Sequence, residues 1–121
     1  MKVQPLTPII GAEVSGLDLC RLTDRQFDGL NDAFTEHSVL FFRDQNAMAP
    51  ADQVAFAKRF GPLHTHPAAP TLAEQEEIFV IHAHKDSKIA NGNGWHTDVS
   101  CDEEPPLATM LQLHLLPKTG G

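Results

Sequence analysis

What this sequence lacks narrows its chemistry more than its bulk composition does. Cysteine is scarce: Cys20 and Cys101 are the only two in 121 residues. They lie far apart and lack the close spacing of a metal knuckle, so they are expected to be thiols rather than a disulfide framework or a structural metal site. Long apolar runs are missing as well. No stretch approaches the roughly 20 residues that a membrane-spanning helix requires. The opening Met1-Lys2-Val3-Gln4-Pro5 does not lead into the apolar core of a signal peptide, which makes the cytoplasm the expected compartment. Basic charge is in short supply: Lys and Arg number 9 against 16 Asp and Glu, a formal charge of -7 with neutral histidines. The basic residues are scattered, a balance that favours neither nucleic acid nor an anionic membrane surface as partner. No glycine-rich phosphate loop is present, because Gly92 and Gly94 do not sit in a P-loop or dinucleotide fingerprint. No local serine or cysteine triad can be assembled.

What is present describes a globular domain. With 41% hydrophobic and 21% charged residues the chain is not disordered, and 121 residues suit one domain. Residues Pro5 to Leu19 alternate weakly around Gly11 and Gly16, which predicts short strands and turns. Thr23-Asp24-Arg25-Gln26 has the spacing of a capping box and opens a helix, with Phe27, Leu30 and Phe34 on one apolar face. Val39-Leu40-Phe41-Phe42 reads as a buried strand. A second helix is expected from Pro50, where proline costs no internal hydrogen bond, with Val54, Ala57 and Phe60 as its inner stripe. Gly61 and Pro62 stop it. Ile78 to His82 is the next expected strand, and Lys85 to Gly94 a loop marked by Asn91-Gly92 and Asn93-Gly94. Pro105-Pro106-Leu107 through Leu116-Pro117 reads as a further strand, followed by a turn at Pro117-Lys118-Thr119-Gly120-Gly121. A final strand needs neighbours, so the chain is read as one portion of a larger fold. The pattern is α+β.

Seven histidines in so short a chain raise the prospect of metal chemistry. Trp95-His96-Thr97-Asp98 is the sharpest feature, since two-residue spacing on an extended segment puts an imidazole and a carboxylate on the same side. Such a pair belongs to the two-histidine, one-carboxylate ligand set of non-haem ferrous iron. Taken alone, the triplet is weak evidence and reads first as a solvated loop pair, or an aspartate orienting a structural histidine. His64-Thr65-His66 and His82-Ala83-His84 compete with it. The latter pair falls at a strand end and is expected to be solvated. The former follows the Gly61-Pro62 stop, in a loop able to present one ring into a cleft.

Longer motifs decide between these readings. Ile10-Gly11-Ala12-Glu13-Val14-Ser15-Gly16 with Asp18-Leu19 is followed by Val39-Leu40-Phe41-Phe42-Arg43-Asp44-Gln45. Next come Arg59-Phe60-Gly61-Pro62-Leu63-His64 with His66-Pro67, and Trp95-His96-Thr97-Asp98-Val99 with Pro105-Pro106. Pro117-Lys118-Thr119-Gly120-Gly121 closes the series. In this order, over essentially the whole chain, they resemble the N-terminal portion of the taurine dioxygenase (TauD/TfdA) family.

The resemblance implies a double-stranded β-helix, or jelly-roll, with flanking helices, of which residues 1–121 are an incomplete N-terminal portion. It implies Fe(II), 2-oxoglutarate and O2 as cofactor and co-substrates, with His96 and Asp98 as two iron ligands. The distal histidine of the triad, the arginine that pairs with 2-oxoglutarate and the threonine that helps to hold it are expected beyond Gly121. His114 is no substitute for the distal ligand. Residues 1–121 alone are therefore expected to be inactive. The implied reaction is hydroxylation of a substrate C–H bond coupled to conversion of 2-oxoglutarate to succinate and carbon dioxide. Asp98 favours hydroxylation over halogenation, because related halogenases have a small residue at that position.

The implied substrate is a small organic anion, with homo-oligomers allowed. His66 matches a family histidine that approaches the sulfonate of taurine-type substrates. The tyrosine expected three residues later is Ala69, and the asparagine expected three residues before the tryptophan is Gly92, flanked by Asn91 and Asn93. Loss of a hydroxyl and an aromatic wall predicts a roomier pocket, for a bulkier sulfonate, an alkyl sulfate or an aryloxyalkanoate. A non-catalytic jelly-roll metal-binding protein and a purely structural fragment are the readings of another class.

Overall fold

The computed structural model describes residues 1–65, 71–72, 74–87, 94–116 and 118–119, with backbone only at 71 and 72. The chain divides into two compact units, Met1–Met48 and Ala49–Gly121.

The first unit is organised around the strand β2, Ala12–Ser15, whose alternation puts the buried Ala12 and Val14 on one face. Strand β1, Lys2–Pro5, pairs antiparallel with it, Val3 opposite Val14. Gly11 and Gly16 bracket β2 at φ +87 and +75, backbone that costs glycine nothing. Leu6 N–H donates to the Gly11 carbonyl at 2.8 Å and closes the β1–β2 connection. A short 3-10 turn at Leu19–Arg21, capped by the Asp18 carboxylate, leads to helix α1, Asp24–His37.

The predicted capping box is present: the Gln26 amide N–H donates to Thr23 Oγ1 at 3.3 Å, and the Thr23 amide N–H to Gln26 Oε1 at 2.9 Å. Helix α1 buries Leu30 and Ala33, and removing the Leu30 side chain from water contributes about 1.5–3 kcal/mol. It ends at Ser38, which takes the left-handed conformation at φ 62 and donates its amide to the Phe34 carbonyl. Strand β3, Leu40–Phe41, then lies parallel to β2, with α1 as the crossover that parallel neighbours need.

The expectation of a buried strand over Val39–Phe42 is corrected here. Val39 and Phe41 are 40% and 46% exposed, because β3 is a two-residue edge of the order β1-β2-β3.

In the second unit, helix α2 spans Pro50–Ala57 with Pro50 at its first turn, and a 3-10 turn at Lys58–Phe60 ends at Gly61, φ 143. Its buried residues are Val54 and Phe56, while Ala57 and Phe60 are half-buried. Val54 and Phe56 point about 200° apart around the helix, so this short helix is covered on more than one side and not along a single stripe. Phe56 also meets the edge of Phe60, ring centroids 5.5 Å apart at 84°. Helix α2 packs on strand β5, Gln75–Phe79, which pairs antiparallel with β4, Thr71–Leu72. The strand expected at Ile78–His82 thus begins earlier. Its limits are set by the partner it finds, and Val80 and Ile81 are left exposed.

The jelly-roll expectation is overturned. The described residues form a three-stranded mixed sheet, a two-stranded sheet and two separate α-helices, not a closed double-stranded β-helix. Among the described residues, the segment read as a late strand, 105–117, belongs to no ladder. Its Leu107, Leu111, Leu113, Leu115 and Leu116 are 70–83% exposed. Alternation is necessary for a half-buried strand, but the ladder itself requires a neighbouring backbone. Among the described residues, no helix is long and apolar enough to cross a membrane.

Candidate functional site

His96 and Asp98 lie in the second unit on an irregular segment without strand or helix. The His96 ring folds back so that Nδ1 stands 2.8 Å from the Gly94 carbonyl oxygen. A carbonyl only accepts, so Nδ1 carries the proton and donates it. In a neutral ring this leaves a lone pair on Nε2, and Nε2 lies 3.2 Å from Asp98 Oδ1. The two atoms are close enough to bind one cation together.

The pair therefore fits a metal on chemical grounds. Two adjacent donors with bonds of about 2.1 Å at right angles stand roughly 3 Å apart. A ligating histidine also commonly donates its other ring N–H to a backbone carbonyl, as His96 does. The side chains are 56% and 50% exposed, which leaves the donors open to solvent and to further ligands. Among the described residues no third His, Cys, Asp or Glu side chain joins them to complete a metal-binding group.

The following turn is tightly specified. Val99 adopts φ 50, a left-handed conformation that a β-branched residue rarely takes. The Asp102 amide N–H reaches back to the Val99 carbonyl at 3.3 Å, and the Thr97 and Ser100 hydroxyls hydrogen-bond to each other. From the loop after α2, His64 Nε2 meets Asp102 Oδ2 at 2.9 Å. Sequence reasoning considered His64 but missed this partner, because nothing local links residues 38 positions apart.

The other candidates fall differently. His66, Ala69, Asn91 and Asn93, read as substrate contacts, lie outside the described residues, as does Gly92. His82 and His84 are exposed, with ring centroids 5.8 Å apart. His84 Nδ1 accepts from the Asp86 amide at 3.2 Å, a local turn contact. His114 hydrogen-bonds to Gln112 on its own segment. Both cysteines are exposed thiols. A cleft in the first unit, about 130 Å³ between Leu17–Cys20 and Asp44–Met48, contains none of the candidate ligands. It is also smaller than the ~300 Å³ at which small-molecule pockets begin.

Comparison with known proteins gives a consistent picture. Residues 2–121 match the family described as taurine catabolism dioxygenase TauD, TfdA. An alkylsulfatase of Acinetobacter baylyi is 36% identical over 122 residues, covering 100% of this chain and 38% of that protein. An alpha-ketoglutarate-dependent sulfate ester dioxygenase of Pseudomonas putida is 30% identical, covering 100% of this chain and 40% of its own length. The crystal structure of a taurine dioxygenase from Burkholderia xenovorans superimposes with a TM-score of 0.70 at 33% identity, covering 87% of this chain and 37% of that one. The chain thus spans about two fifths of the length of these relatives.

Proposed function

The chain belongs to the taurine catabolism dioxygenase TauD, TfdA family, and we propose on that premise that it contributes His96 and Asp98 to the Fe(II) site of a 2-oxoglutarate-dependent dioxygenase acting on a small organic anion. One observation carries the reading: the bond to Gly94 engages His96 Nδ1 and leaves Nε2 as the ring's second donor atom, 3.2 Å from Asp98 Oδ1. An iron held there, together with 2-oxoglutarate and dioxygen, supplies the oxidising chemistry for hydroxylating a C–H bond. His96 contributes a neutral nitrogen whose direction is set before the metal arrives. Asp98 contributes negative charge, which favours a divalent cation over the bare imidazole. Its carboxylate would occupy the place that, by the family resemblance, a small residue leaves open to halide in related halogenases.

The substrate reading is a sulfate ester or a sulfonate bulkier than taurine. It is supported by Ala69 at the position where the family resemblance calls for tyrosine. Two matched relatives are named for alkyl sulfates and sulfate esters. His66 would donate to the anion, more strongly when protonated, and Asn91 and Asn93 are read as further contacts to it. An aryloxyalkanoate is the second reading, favoured by similarity to a phenoxypropionate dioxygenase, 32% identical over 122 residues.

The test is a competition assay on the full-length protein. It compares taurine, longer alkylsulfonates, alkyl sulfates and aryloxyacetates by succinate formed per substrate consumed. Preference for an alkyl sulfate or a longer sulfonate is the expected result. A taurine preference that Ala69→Tyr does not increase would contradict the enlarged pocket, and absence of 2-oxoglutarate turnover with every substrate would contradict the enzyme itself.

A further inference from the structure

His64 and Asp102 join two loops that lie 38 residues apart in the sequence. Their contact, Nε2 to Oδ2 at 2.9 Å, is a well-formed hydrogen bond, and the side chains are only 29% and 42% exposed. Asp102 is the last residue of the turn that starts at Val99, closed by its own amide to the Val99 carbonyl. Val99, in turn, directly follows Asp98 and stands at φ 50. A valine left to itself leaves the left-handed region, because its branched Cβ crowds the backbone there. When Val99 relaxes, the peptide that carries Asp98 swings with it. Something must hold the turn closed, and Asp102 is held by both its backbone and its side chain.

We infer that His64 and Asp102 are a positioning pair: their hydrogen bond locks the 99–102 turn, keeps Val99 left-handed and so presets the Asp98 carboxylate against His96. The inference rests on the reading of Asp98 as a metal ligand. It adds two residues that act through the turn, not as ligands, and determine how well the carboxylate is placed beforehand. Preorganised ligands bind more tightly because the ordering cost is met on folding and not on binding.

The decisive experiment measures Fe(II) affinity of the full-length protein by anaerobic equilibrium dialysis, alongside amide exchange of residues 99–102 in the metal-free protein. Asp102→Ala and His64→Ala should each weaken Fe(II) binding by about tenfold, the lower end of the effect for groups that orient ligands. Each should also speed exchange of the Asp102 amide. The double variant should be no weaker than either single one, since one bond is lost in all three. Asp102→Asn, which still accepts a hydrogen bond from the ring, should recover most of the affinity. In a Val99→Asn background, where the residue tolerates the left-handed region unaided, Asp102→Ala should cost little.

Unchanged affinity in Asp102→Ala and His64→Ala, or independent losses that add in the double variant, would overturn the positioning role. Asp98→Ala separates the two levels of the argument. If it abolishes Fe(II) binding while Asp102→Ala leaves binding intact, only the positioning pair fails. If Asp98→Ala binds Fe(II) like the wild type, the ligand assignment fails with it.

Discussion

The unit Met1–Met48 and the segment around His96 are stabilised by opposite means. In the first, backbone ladders and burial do the holding. β2 pairs on both edges, and Ala12, Val14 and Leu30 are almost wholly removed from water. In the second, the stretch from Gly94 to Asp102 has no strand or helix, its side chains are mostly exposed, and side-chain bonds hold it in shape. Scaffold residues are set by apolar area, which tolerates neighbours of similar volume. Site residues are set by the direction of individual donors and acceptors, which tolerates almost no change. Loops carried on a rigid framework commonly divide the labour in this way.

Substitutions sharpen that contrast. Leu30→Ala should remove the most stability, about 2–5 kcal/mol for a buried leucine, read as a lower urea midpoint of the first unit. Thr23→Ala should cost about 1 kcal/mol, since the hydroxyl that accepts from the Gln26 amide is lost while the residue 23 backbone N–H can still donate to Gln26 Oε1. Ser38→Gly should act in the other direction, stabilising by roughly 0.5–1 kcal/mol, because glycine occupies φ 62 without strain. Arg43→Ala should cost least. Its 2.7 Å bond to Glu13 is exposed, so less than about 1 kcal/mol is expected, and raising the salt concentration should shrink the difference. If Arg43→Ala matched Leu30→Ala in the same unfolding measurement, the claim that burial holds the first unit would collapse.

What the sequence disclosed follows the same division. Signals complete within four residues were legible: the Thr23–Gln26 box, the Pro50 start and the Gly61 stop all stand where the spacing put them. Signals that depend on a distant partner were not. The run Val39–Phe42 is apolar enough for a core strand, yet only Leu40 and Phe41 pair, at an edge. Leu111, Leu113 and Leu115 alternate as a strand would, but no neighbouring backbone takes up their ladder among the described residues. Phe56 was passed over because a single-stripe reading suits a helix buried on one side, and α2 is not. At the site, two-residue spacing singled out His96 and Asp98, and they stand 3.2 Å apart although the segment is not a strand. The His64–Asp102 bond was not legible, since the sequence gives no sign of which carboxylate a loop histidine will meet.

The central claim is that His96 and Asp98 hold a divalent iron that drives 2-oxoglutarate turnover, while contributing little to the fold. The most direct measurement is anaerobic Fe(II) binding to the full-length protein and to its His96→Ala and Asp98→Ala variants, each checked by thermal unfolding without metal. The account predicts one iron bound by the wild type, at least a hundredfold weaker binding in either variant, by analogy with the ~10–100-fold cost of losing even a supporting group, and an unfolding midpoint that barely moves. Wild-type iron affinity in the Asp98→Ala protein, or the same loss of iron accompanied by collapse of the metal-free fold, would contradict it.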